Sequence, residues 1–252
     1  MNFFTALILG VIQGATEFLP VSSSGHIVLL CRITGIDASV SLSLILHLAT
    51  VLAVCIAFRE KLWQLIKKPF CPTTLYLFIA TAISAVIALL LKPVAESFMD
   101  GRSLALFFLI SAVILTLATL FPCKNAGEMN IARAVVIGVS QGLAVFPGLS
   151  RSATTISTGS LLGVEQKHNT EFCFLLSVPI IIGSAIVDIF TSPVFLGDFT
   201  TLSVSFVSAL ISGIFALKLI KSGFWKKSKY FIVYLVTISA LITLNDSFLH
   251  LF

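Results

Sequence analysis

Charge is what this sequence has least of. Only 11% of its 252 residues are Asp, Glu, Lys or Arg, while 58% are hydrophobic; soluble domains carry about 25% charged residues. That balance excludes a water-soluble globular fold and a disordered chain. Cysteine arranged for chemistry is missing as well. Cys31, Cys55, Cys71, Cys123 and Cys173 are odd in number, scattered and without C-x-x-C spacing. They imply neither a disulfide framework nor a zinc site, and are read as small buried apolar residues. The first apolar run has no basic stretch ahead of it, so no cleaved signal peptide is read there. Nor does the net charge of +5 imply nucleic acid. Its cations fall mostly in short loops, where they report topology and contact with anionic membrane lipids.

What is there in abundance is long apolar runs. Six segments read as full membrane spans, roughly 40–58, 75–91, 103–121, 170–190, 200–217 and 230–248, each about the 20 residues that cross a bilayer core. The Lys/Arg-rich connections "REKLWQLIKKP", "PCKNAGEMNIAR", "KH" and "KLIKSGFWKKSK" are expected on the cytoplasmic side, and "KPVAESFMDGR" and "DIFTSPVFLGDFT" outside. One alternation satisfies all of them and puts both termini outside.

Two segments, about 3–35 and 131–164, are too long for one helix and are broken near the middle by Pro, Gly and Ser. Each leaves on the side where it entered, which predicts a re-entrant helical hairpin. Irregular backbone at that depth is tolerated only where protein or a wet cavity surrounds it. The two are also copies: "ALILGVIQGATEFLPVSSS" aligns without a gap on "AVVIGVSQGLAVFPGLSRS" at an offset of 128. Ala6, Gly10, Val11, Gln13, Gly14, Phe18, Ser22 and Ser24 meet identical residues there. The expected fold class is therefore an all-α polytopic membrane protein of one domain, 1–252. It has six transmembrane helices plus two re-entrant hairpins, in inverted-topology repeats of about 1–125 and 126–252. Hairpin tips meeting near the midplane build sites at the ends of broken helices.

Ionisable groups at that depth cost roughly 2.5–3.5 kcal/mol each on insertion scales. Glu17, His26 and Arg151 are those nearest the predicted tips. Gln13 and Glu17 share a helix face at i,i+4, Ser23 and His26 at i,i+3, and Arg151 and Thr155 at i,i+4. Ser22, Ser23, Ser24 and Gly25 stand where a helix N-terminus would offer free N–H groups to phosphate. Ser150 and Ser152 flank Arg151, whose planar fork matches phosphoryl oxygens. The bland reading gives such serines to i−4 carbonyls, and makes His47, His168 and His250 structural, with His47 also a candidate to support the site from behind. It leaves Glu171 open between the interface and a deeper place. It also puts the aromatic residues around 172–206 and 224–234 against lipid. For the two serine clusters the phosphate or diphosphate cradle is the preferred reading.

With these residues in hand, "GVIQGATEFLPVSSSGH", "FPGLSRSATTIS" and "EFCFLLSVPIIIGSA" resemble the bacterial undecaprenyl-diphosphate phosphatase, or bacitracin-resistance, family over essentially the whole chain. The resemblance implies hydrolysis of a polyprenyl diphosphate lipid at an outward-facing site in the cytoplasmic membrane. That reaction recycles the carrier for cell-wall polymers, with a divalent cation, Mg²⁺ or Ca²⁺. Glu17, Ser23, His26 and Arg151 become its catalytic residues; Ser22, Ser24, Gly25, Ser150, Ser152 and Thr155 its substrate contacts; Glu17 and Gln13 its metal ligands. Many relatives carry Glu where this chain has Gln13. An acidic residue and a Gln often replace Ser41 and His47, and Gly replaces Ala153. Ser23 is either the nucleophile or a group orienting water. The rival is a transporter or flippase of polyprenyl phosphate. A homodimer is left open.

Overall fold

The computed structural model describes residues 2–249 apart from 37–38, 100, 122, 124–125, 192–197 and 224–226. The expected outward loop over 192–197, the aromatics Phe224 and Trp225, and His250 lie outside the described residues. Eleven α-helices and no strand are found among the described residues. They are α1 (Phe3–Phe18), α2 (Ser23–Thr34), α3 (Val40–Ala57), α4 (Arg59–Lys67), α5 (Pro72–Glu96) and α6 (Leu104–Leu120). After them come α7 (Ile131–Leu143), α8 (Arg151–Leu161), α9 (Gln166–Thr191), α10 (Phe199–Lys221) and α11 (Ser228–Leu244). A π-turn, Asn245–Leu249, extends α11.

Five of these are long and apolar enough to cross a membrane: α3, α5, α9, α10 and α11 with its extension. The chain is thus a polytopic helical membrane protein. The expected span 103–121 forms as α6, an apolar helix of 17 residues. The connection "REKLWQLIKKP" is no loop. It contains α4, whose Leu62 and Leu65 pack on the core; the density of charge hid that apolar pair.

Each long broken segment is two short helices around a kink. Pro20 ends α1, since the residue before a proline is pushed out of the α region, and Leu19 is extended. Ser22 then caps α2 by accepting from the Gly25 N–H. In the second segment the kink is Ala144–Ser150, turning at Gly148 with φ +93°, and Ser150 caps α8 by accepting from the Ala153 N–H. At roughly 1.5 Å per residue, α1 (16 residues) and α7 (13 residues) are about 24 and 20 Å long, short of a bilayer core.

The helices pack reciprocally. α1 lies along α10, and α7 lies along α5. Glycine makes both approaches possible: a Cβ on Gly10 or Gly14 would strike the backbone of α10, and one on Gly138 or Gly142 would strike α5. Hydroxyls tie the same contacts, Ser212 donating to the Gly10 carbonyl at 3.4 Å and Ser84 to the Gly138 carbonyl at 2.9 Å. The two serines, like the two glycines, are 128 positions apart. α3 adds to the α10 side and α9 to the α5 side, while α6 packs against α11.

The core between them is more aromatic than expected. Phe172, Phe174 and Phe231 are buried, with Phe174 edge-on to Phe18 at 5.7 Å between ring centres. They belong to the protein interior, not to lipid: Phe172 and Phe174 lie on the inner face of α9, Phe174 against Phe18 at the first kink, and Phe231 on α11 joins the same core. Phe190, Phe199 and Tyr230 are exposed. Of the cysteines, only Cys173 is buried and Cys123 is exposed, so the buried role expected for all five holds fully for one.

Candidate active site

The two kinks touch. Ser152 Oγ, at the start of α8, donates to the Leu19 carbonyl in the first kink at 3.0 Å. Gly25 lies so close to Gly148 that a Cβ would sit 2.7 Å from the Gly148 Cα. Gly25, expected to contact substrate, is here a packing residue that lets α2 and the second kink meet.

At this junction Glu17 ends α1 with its side chain only 4% exposed. Gln13 Nε2 donates to its Oε2 at 3.0 Å, from one turn back. The Ser23 hydroxyl donates to the same oxygen, and Arg151 Nη2 donates to Oε1. Ser23 and Arg151 are the first residues of α2 and α8, so the carboxylate faces the N-terminal ends of two helices as well as a guanidinium. Charge, dipoles and hydroxyl together stabilise an anion there.

A cavity of about 220 Å³ opens beside this cluster, lined by Glu17, Ser22, Ser23, Ser24, Ser150 and Arg151, and also by His47 and Gln141. It continues into an apolar groove of about 420 Å³ between α5 and α9, the two sharing Ala88, Val145, Ile180 and Ser184. A larger cavity of about 650 Å³ between α2 and α3 shares Ser24 and His47.

Four expected residues are engaged by other partners. His26 does not reach Glu17. Its Nδ1 must carry the proton, because it meets the Ser22 carbonyl at 2.6 Å, and a carbonyl only accepts. Nε2 therefore accepts from the Tyr234 hydroxyl at 2.6 Å, with the two rings stacked. Thr155 is buried and its hydroxyl donates to the Arg151 carbonyl at 2.9 Å, the back-bond of an ordinary helical threonine. Ser22 and Ser150 are occupied as caps, so of the first serine cluster Ser23 and the exposed Ser24 keep hydroxyls toward the cavity.

Two residues gain weight. Tyr234 was grouped with the lipid-facing aromatics; its place opposite His26, 208 positions away, carries no local sequence signal. His47 donates from Nδ1 to the Ser43 carbonyl at 2.8 Å, and it lines the cavity within electrostatic reach of Glu17. The departure from the family pattern at His47 was its only sign.

The donor set does not make a ready cation site. Both Glu17 oxygens are taken by donors, Gln13 turns its amide N–H toward them, and no cluster of three or more His, Cys, Asp or Glu exists among the described residues. A cation on Glu17 would have to displace Arg151.

Fold and site together define a polytopic helical membrane protein with a buried acid–guanidinium site where two broken helices meet. Comparison with known proteins gives the particular family. A family model described as bacitracin resistance protein BacA matches residues 6–241. The chain is 40% identical to the undecaprenyl-diphosphatase of Carboxydothermus hydrogenoformans over 86% of its length and 87% of that protein. It is 34% identical to that of Treponema denticola, covering 94% of each, and 31% identical to that of Methanobrevibacter smithii over the whole of both. The chain belongs to the BacA family.

Proposed function

We propose that this protein hydrolyses a polyprenyl diphosphate, undecaprenyl diphosphate by its likeness to the relatives, to the monophosphate and inorganic phosphate. The observation that carries the reading is Glu17, bonded at once by Ser23 and Arg151 on the wall of a small polar cavity. Phosphoryl transfer asks mostly for positioning and charge stabilisation. Arg151 moves from Glu17 to the phosphates, and the helix N-termini at Ser23 and Arg151 add N–H donors. Glu17, freed of its guanidinium, takes the proton of the Ser23 hydroxyl or of a water held beside it, as that oxygen attacks the terminal phosphorus. The bond to the bridging oxygen breaks, and the lipid monophosphate leaves with the proton; where Ser23 attacks, a water then displaces its oxygen from phosphorus, returning a proton to Ser23 and releasing inorganic phosphate. His26, three residues after Ser23 on α2 and bonded to Tyr234, serves as the acid–base group. A divalent cation, Mg²⁺ or Ca²⁺, would be held by oxygens of the diphosphate rather than by Glu17 and Gln13, and would neutralise phosphate charge there. The isoprenoid lies in the apolar groove between α5 and α9, where Leu89, Ile180 and Val187 supply its walls.

The same proposal includes the finer layout: six spans and two re-entrant hairpins in inverted halves, in a bacterial cytoplasmic membrane, with the site facing outward. Reciprocal packing of α1 on α10 and α7 on α5 supports it. So do the matched caps Asn2 and Asn130, which accept from Thr5 and Arg133 N–H groups. Cysteines placed at 61–68 are expected to react only with a reagent that enters the cytoplasm. Labelling from outside the cell would overturn the orientation.

The test of function is phosphate release from a polyprenyl diphosphate by the purified protein in detergent. Release by the wild type, lost in Glu17→Gln, is expected. The names of the relatives favour a hydrolase over a lipid flippase, and a wild type that moves polyprenyl phosphate between leaflets without releasing phosphate would reverse that preference.

A further inference from the structure

One cavity far from the kinks has no part in hydrolysis. It encloses about 540 Å³ where α3 passes into α4, and its walls carry Arg59, Lys61, Lys218 and Lys221 against Glu60 and Glu171. Lys221 is committed: its ammonium donates to the Ala57 carbonyl at the end of α3 and lies 4.0 Å from the Phe58 ring centre. Arg59, Lys61 and Lys218 form no ion pair with any described residue. Cations from α4 and α10 thus outnumber the carboxylates around a hole large enough for a polar group.

The second observation is the helix beside it. α4 turns Leu62 and Leu65 to the core, yet leaves Trp63 58% and Ile66 68% exposed, with Arg59, Glu60 and Lys61 before them and Lys67 and Lys68 after. An amphipathic helix with a free apolar edge and basic neighbours lies in the bilayer interface, apolar edge down. That places the mouth of the cavity at the depth of the phosphate groups. Basic pockets between transmembrane helices at that depth are suited to anionic head groups.

We propose that this cavity seats the phosphodiester headgroup of an anionic phospholipid, held by Arg59, Lys61 and Lys218, with Trp63 and Ile66 in the adjoining acyl boundary. The site depends on the membrane reading alone, not on the hydrolysis proposed above. In the orientation proposed here it belongs to the cytoplasmic leaflet. The phosphate is the recognised chemistry, and the lipid is its source because the cavity opens beside an interfacial helix.

The full-length protein in detergent would be titrated with phosphatidylglycerol, phosphatidylcholine and soluble glycerol phosphate, and binding read by native mass spectrometry with thermal unfolding alongside. Phosphatidylglycerol should bind and raise the unfolding temperature, and the other two should not. One lysine near an anionic surface corresponds to roughly fivefold in affinity. Lys61→Gln with Lys218→Gln should therefore weaken phosphatidylglycerol binding by about tenfold or more. Lys67→Gln with Lys68→Gln, cations of the same region that do not line the cavity, should change it clearly less than the cavity pair does. Equal binding of phosphatidylcholine, equal binding of glycerol phosphate, or equal loss in the control pair would each overturn the site. Glu17→Gln should bind phosphatidylglycerol like the wild type, so a negative hydrolysis assay leaves this result standing.

Discussion

The two kinks share one frame and differ in their chemistry. Ser22 and Ser150 cap matching helices, and each lies 3.3 Å from a second serine, Ser24 or Ser152. His26 and Thr154, again matching, both donate to the cap carbonyl, of Ser22 and of Ser150. Within this frame the first kink has Glu17 where the second has Val145, and Ser23 where the second has Arg151. The acid sits in one half, the guanidinium in the other, and they join across the junction. A duplicated backbone supplies two anion-ready helix ends. A few side chains decide that one half brings the carboxylate and the other the positive charge.

The sharpest way to break this comparison is to remove the groups that are not shared. Glu17→Gln keeps the shape but loses the proton acceptor. Arg151→Lys keeps the charge but loses the planar fork. Each is expected to lower phosphate release by at least about 100-fold, the effect of deleting one preorganised transition-state contact. Near-normal release by Arg151→Lys would reduce the residue to a structural ion pair.

His26 and Thr154 sharpen the comparison, since both make the same carbonyl bond. If His26 also does acid–base work, His26→Ala should cost on the order of 100-fold in turnover, while Thr154→Ala should stay within about threefold, a lost neutral hydrogen bond near 0.5 kcal/mol. Equal losses would mean that both residues only brace the kinks.

The repeat, the kinks and the nearness of Glu17 and Arg151 could be read in the sequence, because each depends on local signals: Pro and Gly breaks, matched serines, and charge where charge is costly; their direct ion pair could not. Tyr234 could not, and His47 only faintly, because their value comes from helices brought alongside by tertiary packing. The close packing of Gly25 and the back-bond of Thr155 are hidden from sequence for a related reason. A motif says that a residue sits at a site, and only packing says which way it faces. The hidden helix α4 shows the same limit, its charges having been taken for a loop.

The glycines test how far the shared frame extends. A Cβ on Gly14 would fall 2.1 Å from the Ala209 carbonyl oxygen, which is backbone, whereas one on Gly142 would first meet the Ile87 side chain at 2.6 Å. The Ile87 atom met is its Cβ, fixed to α5 like the backbone, so the shallower overlap at Gly142 is what sets the two apart. Gly14→Ala is expected to destabilise the protein by about 3 kcal/mol and Gly142→Ala by about 1 to 2 kcal/mol, within the usual range for overpacking. Unfolding in detergent at several denaturant concentrations would measure both. Equal losses would show that the α5 contact is as unyielding as the α10 contact.

The smallest difference is where each half leaves its hairpin. Ser39 caps α3 by accepting from the Leu42 N–H at 3.2 Å. At the matching junction Glu165 caps α9, accepting from the His168 and Lys167 N–H groups at 3.0 and 3.2 Å. The His168 N–H bond is the largest cause holding the Glu165 carboxyl below its ordinary value of 4.5. Partial burial opposes it, and the Lys167 N–H bond and the charges of His168 and Lys167 assist. With the folded value lowered, the stabilisation from Glu165 is complete above pH 4.5 and is lost as pH falls through that lower folded value. Ser39 does not titrate. Glu165→Ala and Ser39→Ala should each cost about 1 kcal/mol at neutral pH, a typical lost N-cap. On acidification the penalty of Glu165→Ala should shrink while that of Ser39→Ala persists. Unfolding curves of the two variants and the wild type, at neutral pH and well below 4.5, decide it. A Glu165→Ala penalty that does not change with pH would mean the cap works through shape alone.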